Sequence, residues 1–268
     1  MQLMAADDIP TPRPLPNKPL VEAIFELRWA LKEPGPAGTA VDPGFRVALG
    51  RYYDKVRTEY PVMIDLPTSQ VPEDMTAYSV RHQFRSKADG WPLTQIGPGI
   101  LTVNETNGYS WDAFRPKLLS AIDGIFTAYP TDLWPFSPVG AQLRYINAIR
   151  LPSGQSPTSI LAEALHTKVE VDPRLFGAAV PTPDSDLNLI LSYPLTEPLG
   201  TGHLRFTNAK QNGEPVMVFE IGIRSDQANA PKLCGAYEEW LHKAHAVAER
   251  WFLTLCRGEL LASFEEIK

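Results

Sequence analysis

The residues best suited to chemistry lie near the C-terminus, where the stretch YEEWLHKAHAVAERW contains Glu238, His242, His245 and Glu249. Their spacing places all of them on one stripe of a helix. Such a stripe could ligate zinc, iron or manganese if another element supplied further ligands, or could act as a general acid and base. The alternative is two solvated pairs of side chains one turn apart, because His-x-x-His is far less specific than a thiolate zinc motif.

A second set of polar residues lies on predicted strands. Glu22 and Glu26 share one face of a strand and are separated by about 13 Å, given the rise of an extended chain. This is too far for two carboxylates that act together on one bond, as in glycosidases, and pairing with Arg28 or Arg144 is the simpler interpretation. If a ligand site exists, we expect it on these strands and their neighbours, with these contributors: Glu22, Glu26, Arg28, Asn104, Arg144, Tyr145 and Asn147.

The elements that must position these residues follow from the hydrophobic pattern. Apolar and polar residues alternate from Leu20 to Trp29 and from Ala141 to Leu151, which predicts two half-buried strands. A helix is predicted from about Pro231 to Cys256, with an apolar stripe beside the Glu/His stripe. Asp42 and Ser110 are suited to cap two further helices.

Turn signals complete this outline. Gly97-Pro98-Gly99 predicts a tight hairpin rather than a phosphate-binding loop, because a strand pattern and not a helix follows it. Asn212-Gly213 predicts a second hairpin. Ser156-Pro157 opens another short helix.

The order of elements is the same twice along the chain: strand, helix, three strands, helix. We therefore predict an α+β fold with a mainly antiparallel sheet, helices on one face and a duplicated β-α-β-β-β-α unit. The predicted divisions are a proline-rich extended arm at 1–19, a first α+β half at 20–137 and a second at 138–268. The two halves could form one compact domain.

Composition excludes several classes of protein. With 44% hydrophobic and 21% charged residues, the chain of 268 residues has the balance of a globular protein. A formal net charge of −6 argues against a general phosphate-binding surface, although Arg81, Arg85 and Lys87 could form a local basic patch on one strand face. The two cysteines, Cys234 and Cys256, predict neither a disulfide framework nor a zinc site.

Nothing in the sequence predicts membrane insertion or export. The N-terminal MQLMAADD has neither the basic nor the apolar region of a secretory signal, and no run of about eighteen apolar residues occurs. We therefore expect a cytoplasmic protein with no membrane partner. We also expect that it needs no cofactor and that nucleic acid is a poor partner.

The N-terminal arm carries the pattern R-x-L-P-x-x-P from Arg13 to Pro19. SH3-like domains recognise such segments as polyproline helices. The alternative is that the arm packs along a sheet edge of its own chain or of a neighbouring subunit, where proline blocks further strand pairing.

Several apolar-rich strings are distributed over most of the chain: NKPLVEAIFELRW, QIGPGILTVN, YSWDAF, LRYINAI and AHAVAERWF. Together they resemble a sporadically distributed family of bacterial proteins of about this length whose function is uncharacterised. The resemblance implies a bacterial or phage source. It brings no assigned activity, so no catalytic role follows from it.

Two functions from different classes are consistent with these observations. The first is a non-enzymatic binding or interaction protein that associates with a protein partner or with itself, as a homodimer or an accessory subunit of a bacterial system. It is favoured because the sequence contains no complete catalytic constellation. The second is a metal-dependent enzyme that uses the Glu/His stripe, so the sequence leaves open whether the protein catalyses a reaction.

Overall fold

The computed structural model describes residues 15–33, 39–106, 108–152, 154–172, 174 and 186–266. Most of the predicted arm at 1–19, including Arg13, lies outside the described residues. The chain forms, in order, β1 Leu20–Trp29, α1 Phe45–Val56, β2 Val62–Asp65, β3 His82–Arg85, β4 Leu93–Gly97, β5 Ile100–Glu105, α2 Trp111–Ala128, β6 Pro138–Arg150, α3 Pro157–Glu163, β7 Asn188–Thr196, β8 Leu199–Gln211, β9 Glu214–Asp226, α4 Ala236–Cys256 and α5 Glu259–Glu265.

The strands pair antiparallel in one sheet, in the order β2-β3-β4-β5-β1-β6-β9-β8-β7. The first strands of the two halves, β1 and β6, pair near its centre, where Phe25 lies opposite Leu143. The last strand of each half then pairs with the first, β5 with β1 and β9 with β6. The sheet therefore runs without interruption through both halves, and the α+β prediction is confirmed.

The two halves have the same connectivity except at one edge. The predicted order of strand, helix, three strands and helix describes the second half, but the first half has four strands between α1 and α2. The difference arises because the run around Gly97-Pro98-Gly99, counted once in the prediction, consists of β4 and β5. Gly99 has a φ of 77°, which suits the hairpin turn between them.

The helices pack on one face of the sheet, because alternate residues of each strand are apolar there. On β1 these residues are Ala23, Phe25, Leu27 and Trp29, none of which is exposed to solvent. Buried side chains of all five helices join the same core. No helix of the described residues is both long and apolar enough to span a lipid bilayer.

Asp42 joins several elements through one buried carboxylate. Its oxygens accept hydrogen bonds from Trp29 Nε1 at 2.8 Å and from Tyr129 Oη at 2.6 Å, which lie at the ends of β1 and α2. The backbone nitrogens of Gly99 and Gly44 donate at 3.0 and 3.1 Å. Asp42 is only 6% exposed, so these four donors replace the water that would otherwise solvate its charge.

Local capping signals predict the starts of the helices to within a few residues. α1 begins at Phe45, and its N-cap is Gly44 rather than the predicted Asp42, whose Oδ1 instead accepts a hydrogen bond from Gly44 N. The Oγ of Ser110 accepts a hydrogen bond from Ala113 N at the start of α2, as predicted. Asn212 and Gly213 both have positive φ values, 52° and 84°, as the predicted hairpin requires. These positions depend on neighbours in the sequence, which explains why the sequence predicts them well.

Removal of the Asp42 carboxylate is expected to destabilise the protein strongly. Asp42→Ala leaves buried donors of four elements without an acceptor and should lower the free energy of unfolding by about 3 kcal/mol or more. Urea denaturation followed by tryptophan fluorescence measures this change. Asp54→Ala is the control, because Asp54 is exposed and makes a single pair with Arg57; it should change stability by less than about 0.5 kcal/mol. Similar effects of the two substitutions would contradict the role of Asp42.

Candidate functional site

A chain of hydrogen bonds beneath α4 joins residues that the sequence assigns to separate sites. Tyr145, a predicted ligand-site residue on β6, places its Oη 2.9 Å from Nδ1 of His245, a predicted metal ligand on α4. Tyr109, before α2, donates its hydroxyl hydrogen to Tyr145 Oη at 3.0 Å. Tyr145 can therefore donate its own hydrogen to His245 Nδ1. In this arrangement a neutral His245 carries its hydrogen on Nε2.

The surroundings of His245 favour its neutral form. Trp111, the first residue of α2, stacks on the imidazole with 4.0 Å between ring centroids and 14° between the planes. Burial lowers the pKa of His245 to about 4, and the nearby His242 contributes to the shift. At neutral pH the Tyr109–Tyr145–His245 chain is consequently a network of uncharged groups.

Burial also shifts the groups around this network toward their neutral forms. It raises the pKa of Glu249, one helical turn beyond His245, and raises the pKa of Tyr145 well above its usual range. It lowers the pKa of Lys18, whose ammonium donates to the backbone oxygen of Tyr109 and lies 5.3 Å from the centre of that ring. Shifted pKa values of this kind occur at functional sites and also in satisfied polar networks of structural importance.

The other members of the Glu/His stripe have different surroundings. Glu238 Oε1 lies 3.5 Å from Nη1 of Arg115 on α2, and His242 is exposed. In the parts of the chain that the structure describes, no three His, Cys, Asp or Glu side chains are grouped so that they could hold a metal ion. The geometry thus adds no ligand to the predicted metal site, and the metal-dependent enzyme stays a prediction.

Most of the other predicted residues lie on the face of the sheet opposite the helices, which we call the helix-free face. Glu22, Glu26 and Arg28 reach it from β1, Asn104 from β5 and Arg144 from β6. Because β1 pairs with both β5 and β6, these side chains are neighbours on adjacent strands. The centre of the helix-free face is formed by β5, β1, β6, β9 and β8.

Hydrogen bonds fix the part of the helix-free face over β5. Asn104 Nδ2 donates to Glu22 Oε1 at 2.8 Å, and Thr102 Oγ1 lies 3.0 Å from Asn104 Oδ1. Thr102 and Asn104 are buried although they face away from the helices. Their polar groups are therefore held in place by each other rather than by bulk water.

Arg28 occupies a second fixed position on the helix-free face. Its Nε lies 2.6 Å from Glu26 Oε1, but the N–H is not directed at that oxygen, so the buried Nε makes no hydrogen bond. The guanidinium lies over the ring of Tyr78, 5.4 Å from its centre. Tyr78 has a φ of 57°, an unfavourable conformation for a bulky residue. This strained backbone places the ring beneath Arg28.

A third fixed position is a carboxylate shared by two basic side chains. Oε1 of Glu220 on β9 lies 2.9 Å from Arg144 Nε and 3.2 Å from His203 Nε2. Gly222 makes room for the imidazole, because a Cβ at that position would lie 2.1 Å from atoms of the His203 ring. Burial would raise the pKa of Glu220, but the hydrogen bond from His203 and the charge of Arg144 outweigh it and lower the pKa.

The structure divides the predicted ligand site between the two faces of the sheet. Five of its seven residues lie together on the helix-free face, whereas Tyr145 and Asn147 occupy positions of β6 that face the helices. The reason is the alternation of side chains along a strand, which separates Arg144 from Tyr145. Asn147 is buried and its Nδ2 lies 3.4 Å from the backbone oxygen of Tyr145.

The structure places several further residues at these sites that the sequence does not predict. Tyr109 and Trp111 belong to the string YSW at the start of α2, and an aromatic pair that flanks a helix cap could have indicated a contact with the helix stripe. His203 and Glu220 had no such signal, because each is an ordinary polar residue of an alternating strand.

The predicted local basic patch does not form as expected. Arg81 is buried, and its guanidinium donates to the backbone oxygens of Val71 and Ser69 at 2.7 and 2.8 Å. Arg85 lies over the ring of Trp91, 5.4 Å from its centre. Arg81 thus holds the loop before β3 and is unavailable to a phosphate.

Two comparisons with known proteins find no match to this chain. No protein-family model matches the chain, and no significant match is found among curated proteins. The resemblance to a bacterial family therefore stays a prediction.

His245 should make the stability of the protein depend on pH. Its pKa is about 4 in the folded protein and about 6.5 in an unfolded chain, so the unfolded state binds more protons between these values. Stability should therefore fall as the pH is lowered through this window, by up to about 1.4 kcal/mol per pH unit from this group. His245→Gln should remove that part of the dependence.

Urea denaturation at intervals between about pH 4 and pH 8 measures the free energy of unfolding of wild type and variant. The titration of Glu249 contributes equally to both proteins, so it cancels in the difference. His242→Gln is the comparison: His242 is exposed and contributes less than burial to the pKa shift of His245, so most of the pH dependence should remain in this variant. An unchanged pH dependence in His245→Gln would show that the half-buried imidazole is not held neutral.

Proposed function

We propose that the protein is a non-enzymatic binding protein that engages another protein through its helix-free face, as an accessory subunit of a bacterial system. The observation that carries this proposal is the array of charged side chains at fixed positions on that face. Three arginine–carboxylate pairs occur on the neighbouring strands β1, β6 and β9: Arg28 with Glu26, Arg144 with Glu220, and Arg224 with Asp226.

The incomplete hydrogen bonding of this array supports a role in recognition. The Nε atoms of Arg28 and Arg144 are buried without a hydrogen bond, although each lies within 3 Å of a carboxylate oxygen. Buried donors of folded proteins are normally satisfied. Both arginine side chains are also partly exposed, by 35% and 28%, so each guanidinium can bind a carboxylate or backbone oxygen of a partner.

The mixture of charges favours a protein over a nucleic acid as the partner. Glu22, Glu26 and Glu220 lie among the arginines of the helix-free face and would repel a phosphate backbone. A protein surface can match both signs of charge, and such complementarity determines specificity and the rate of association. The net charge of −6 is consistent with this choice.

The alternative of a metal-dependent enzyme has less support. Nδ1 of His245 is occupied by the hydroxyl of Tyr145, and its ring is covered by Trp111. Glu238 is paired with Arg115 at the surface. These contacts account for two members of the Glu/His stripe, Glu238 and His245, as part of the packing between α2 and α4.

We place this function in the cytoplasm, because the described cysteines, Cys234 and Cys256, are both free thiols. Unpaired cysteines are usual in reducing compartments. The resemblance to bacterial proteins supports a bacterial system as the setting.

Reversal of one charge on the helix-free face tests the proposal. Arg144→Glu places a second carboxylate beside Glu220 and should weaken binding of a partner by at least about tenfold. The partner is first captured from a lysate of the source organism with the immobilised wild-type protein, and its dissociation constant is then measured by calorimetry. Arg57→Glu is the control, because Arg57 is an exposed residue at the end of α1 on the other side of the sheet.

Thermal unfolding of both variants shows whether the fold is retained. If Arg144→Glu lowers stability, Glu26→Lys tests the same face from β1. A partner that binds both face variants as tightly as wild type would exclude the helix-free face as its site. Failure of the wild-type protein to retain any partner specifically would overturn the proposed function.

A further inference from the structure

The two edges of the sheet differ in length. β2 has only four residues, whereas β7 has nine, from Asn188 to Thr196. Among the described residues β7 pairs with β8 alone, so the N–H and C=O groups of its outer edge have no strand partner. A long open edge is a template for a further strand unless the sequence protects it.

β7 lacks the charges that usually protect an edge. The stretch LNLILSYPLT, from Leu187 to Thr196, contains no charged residue. Ile190 is 58% exposed and Tyr193 is 45% exposed, on opposite faces of the strand. Pro194 is the only residue in the strand that hinders pairing, because it lacks an N–H.

An apolar groove of about 370 Å³ adjoins this edge on the helix side. It is lined by Tyr193 and Leu204 of the sheet and by Arg250, Trp251, Thr254 and Leu255 of α4. Trp251 lies directly over Gly202, where a Cβ would approach its ring to 2.3 Å. The surface beside β7 is thus apolar on the face of the sheet that elsewhere forms the core.

The first half shows what is missing at β7. By connectivity β7 corresponds to β3, and β3 has β2 on its outer side. The helix α1 also covers that region, where Tyr53 stacks on Phe84 with 5.6 Å between ring centroids. Its counterpart α3 has seven residues against twelve in α1 and does not line the groove. Within the described residues, the second half therefore lacks an outer strand.

We propose that a second copy of this chain supplies the outer strand, with two β7 strands paired antiparallel across a twofold axis. Such an axis brings equivalent parts of the two strands together, so charges of one sign would meet on a charged edge. The uncharged edge of β7 avoids this repulsion. Pairing would also bring the exposed apolar side chains of the two edges into contact and extend the apolar surface beside each groove.

Pro194 indicates the register of this pairing. A proline is tolerated in a paired strand where its missing N–H would face away from the neighbouring strand. The backbone of Pro194 therefore directs this position away from β8, toward the open edge. Because the direction alternates along a strand, the N–H and C=O groups of Asn188, Ile190 and Ser192 also face outward. A twofold axis at Ile190 pairs this residue with its own copy and pairs Asn188 with Ser192 of the other chain. The outward-facing N–H and C=O groups of Asn188, Ile190 and Ser192 can then form all the hydrogen bonds of these pairs, and Pro194 lies outside the paired stretch.

The β7 dimer and the proposed function occupy different surfaces. The dimer uses the edge of β7, whereas the partner site is centred on β1, β6 and β9 of the helix-free face. The mass of the isolated protein tests the dimer alone, and partner capture tests the proposed function alone. Failure of one experiment therefore leaves the other interpretable.

Light scattering of the untagged protein, at concentrations up to about 100 µM, is the first test. Wild type should have twice the mass of one chain, and Ile190→Lys should have the mass of one chain, because its charge would meet a second copy of itself. Met63→Lys, at a partly exposed position of the short edge strand β2, should remain a dimer. Circular dichroism checks that both variants are folded.

Disulfide formation tests the register. Residues in a hydrogen-bonded antiparallel pair have Cα atoms about 5.5 Å apart, within the range that a disulfide spans. In a Cys234→Ser background, Ile190→Cys should therefore form a covalent dimer on oxidation and Met63→Cys should not. A monomeric wild type, which would mean that another segment or a different protein occupies the edge, would overturn the proposal. A dimeric Ile190→Lys variant would also overturn the proposal, as would an Ile190→Cys dimer in which oxidation forms no disulfide.

Discussion

Because helices cover only one face of the sheet, every central strand must separate its side chains into an apolar and a polar set. On β1 the apolar set includes Phe25 and Trp29 in the core, and the polar set includes Glu26 and Arg28 on the helix-free face. A shift of one residue would exchange the two sets. The hydrogen bond from Trp29 to Asp42 anchors β1 at one end, so the core and the helix-free face depend on the same register.

The same constraint explains why two polar systems lie on opposite sides of β6. Arg144 contributes to the charged array, and the next residue, Tyr145, enters the core and binds His245. In the Tyr109–Tyr145–His245 network burial keeps the groups neutral, because charges there would lose their solvation without compensation. On the helix-free face Glu220 remains ionised because basic side chains surround it. The chain thus builds an uncharged network and a charged surface from consecutive residues of one strand.

Local patterns account for the part of the fold that the sequence predicts. Alternation identifies β1 and β6, and caps and turn residues locate the helices and hairpins, because each signal involves neighbours in the chain. The site is less predictable because its contacts are distant in sequence. Spacing places His245 on a stripe but cannot reveal Tyr145, 100 residues away, as its partner. Asp42 marks the approach to α1 in the sequence, whereas its bond to Tyr129 depends on the completed fold.

The central position of β1 has a consequence for how the chain reaches this fold during synthesis. β1 leaves the ribosome before the other described strands, and its neighbours β5 and β6 come much later, with Ile24 paired to Asn104 on one side and to Arg144 on the other. Until β6 emerges, the nascent first half has β1 as an open edge with Phe25 and Leu27 beside it. Such long-range pairing slows folding, and a newly made first half would need protection from aggregation until the second half arrives.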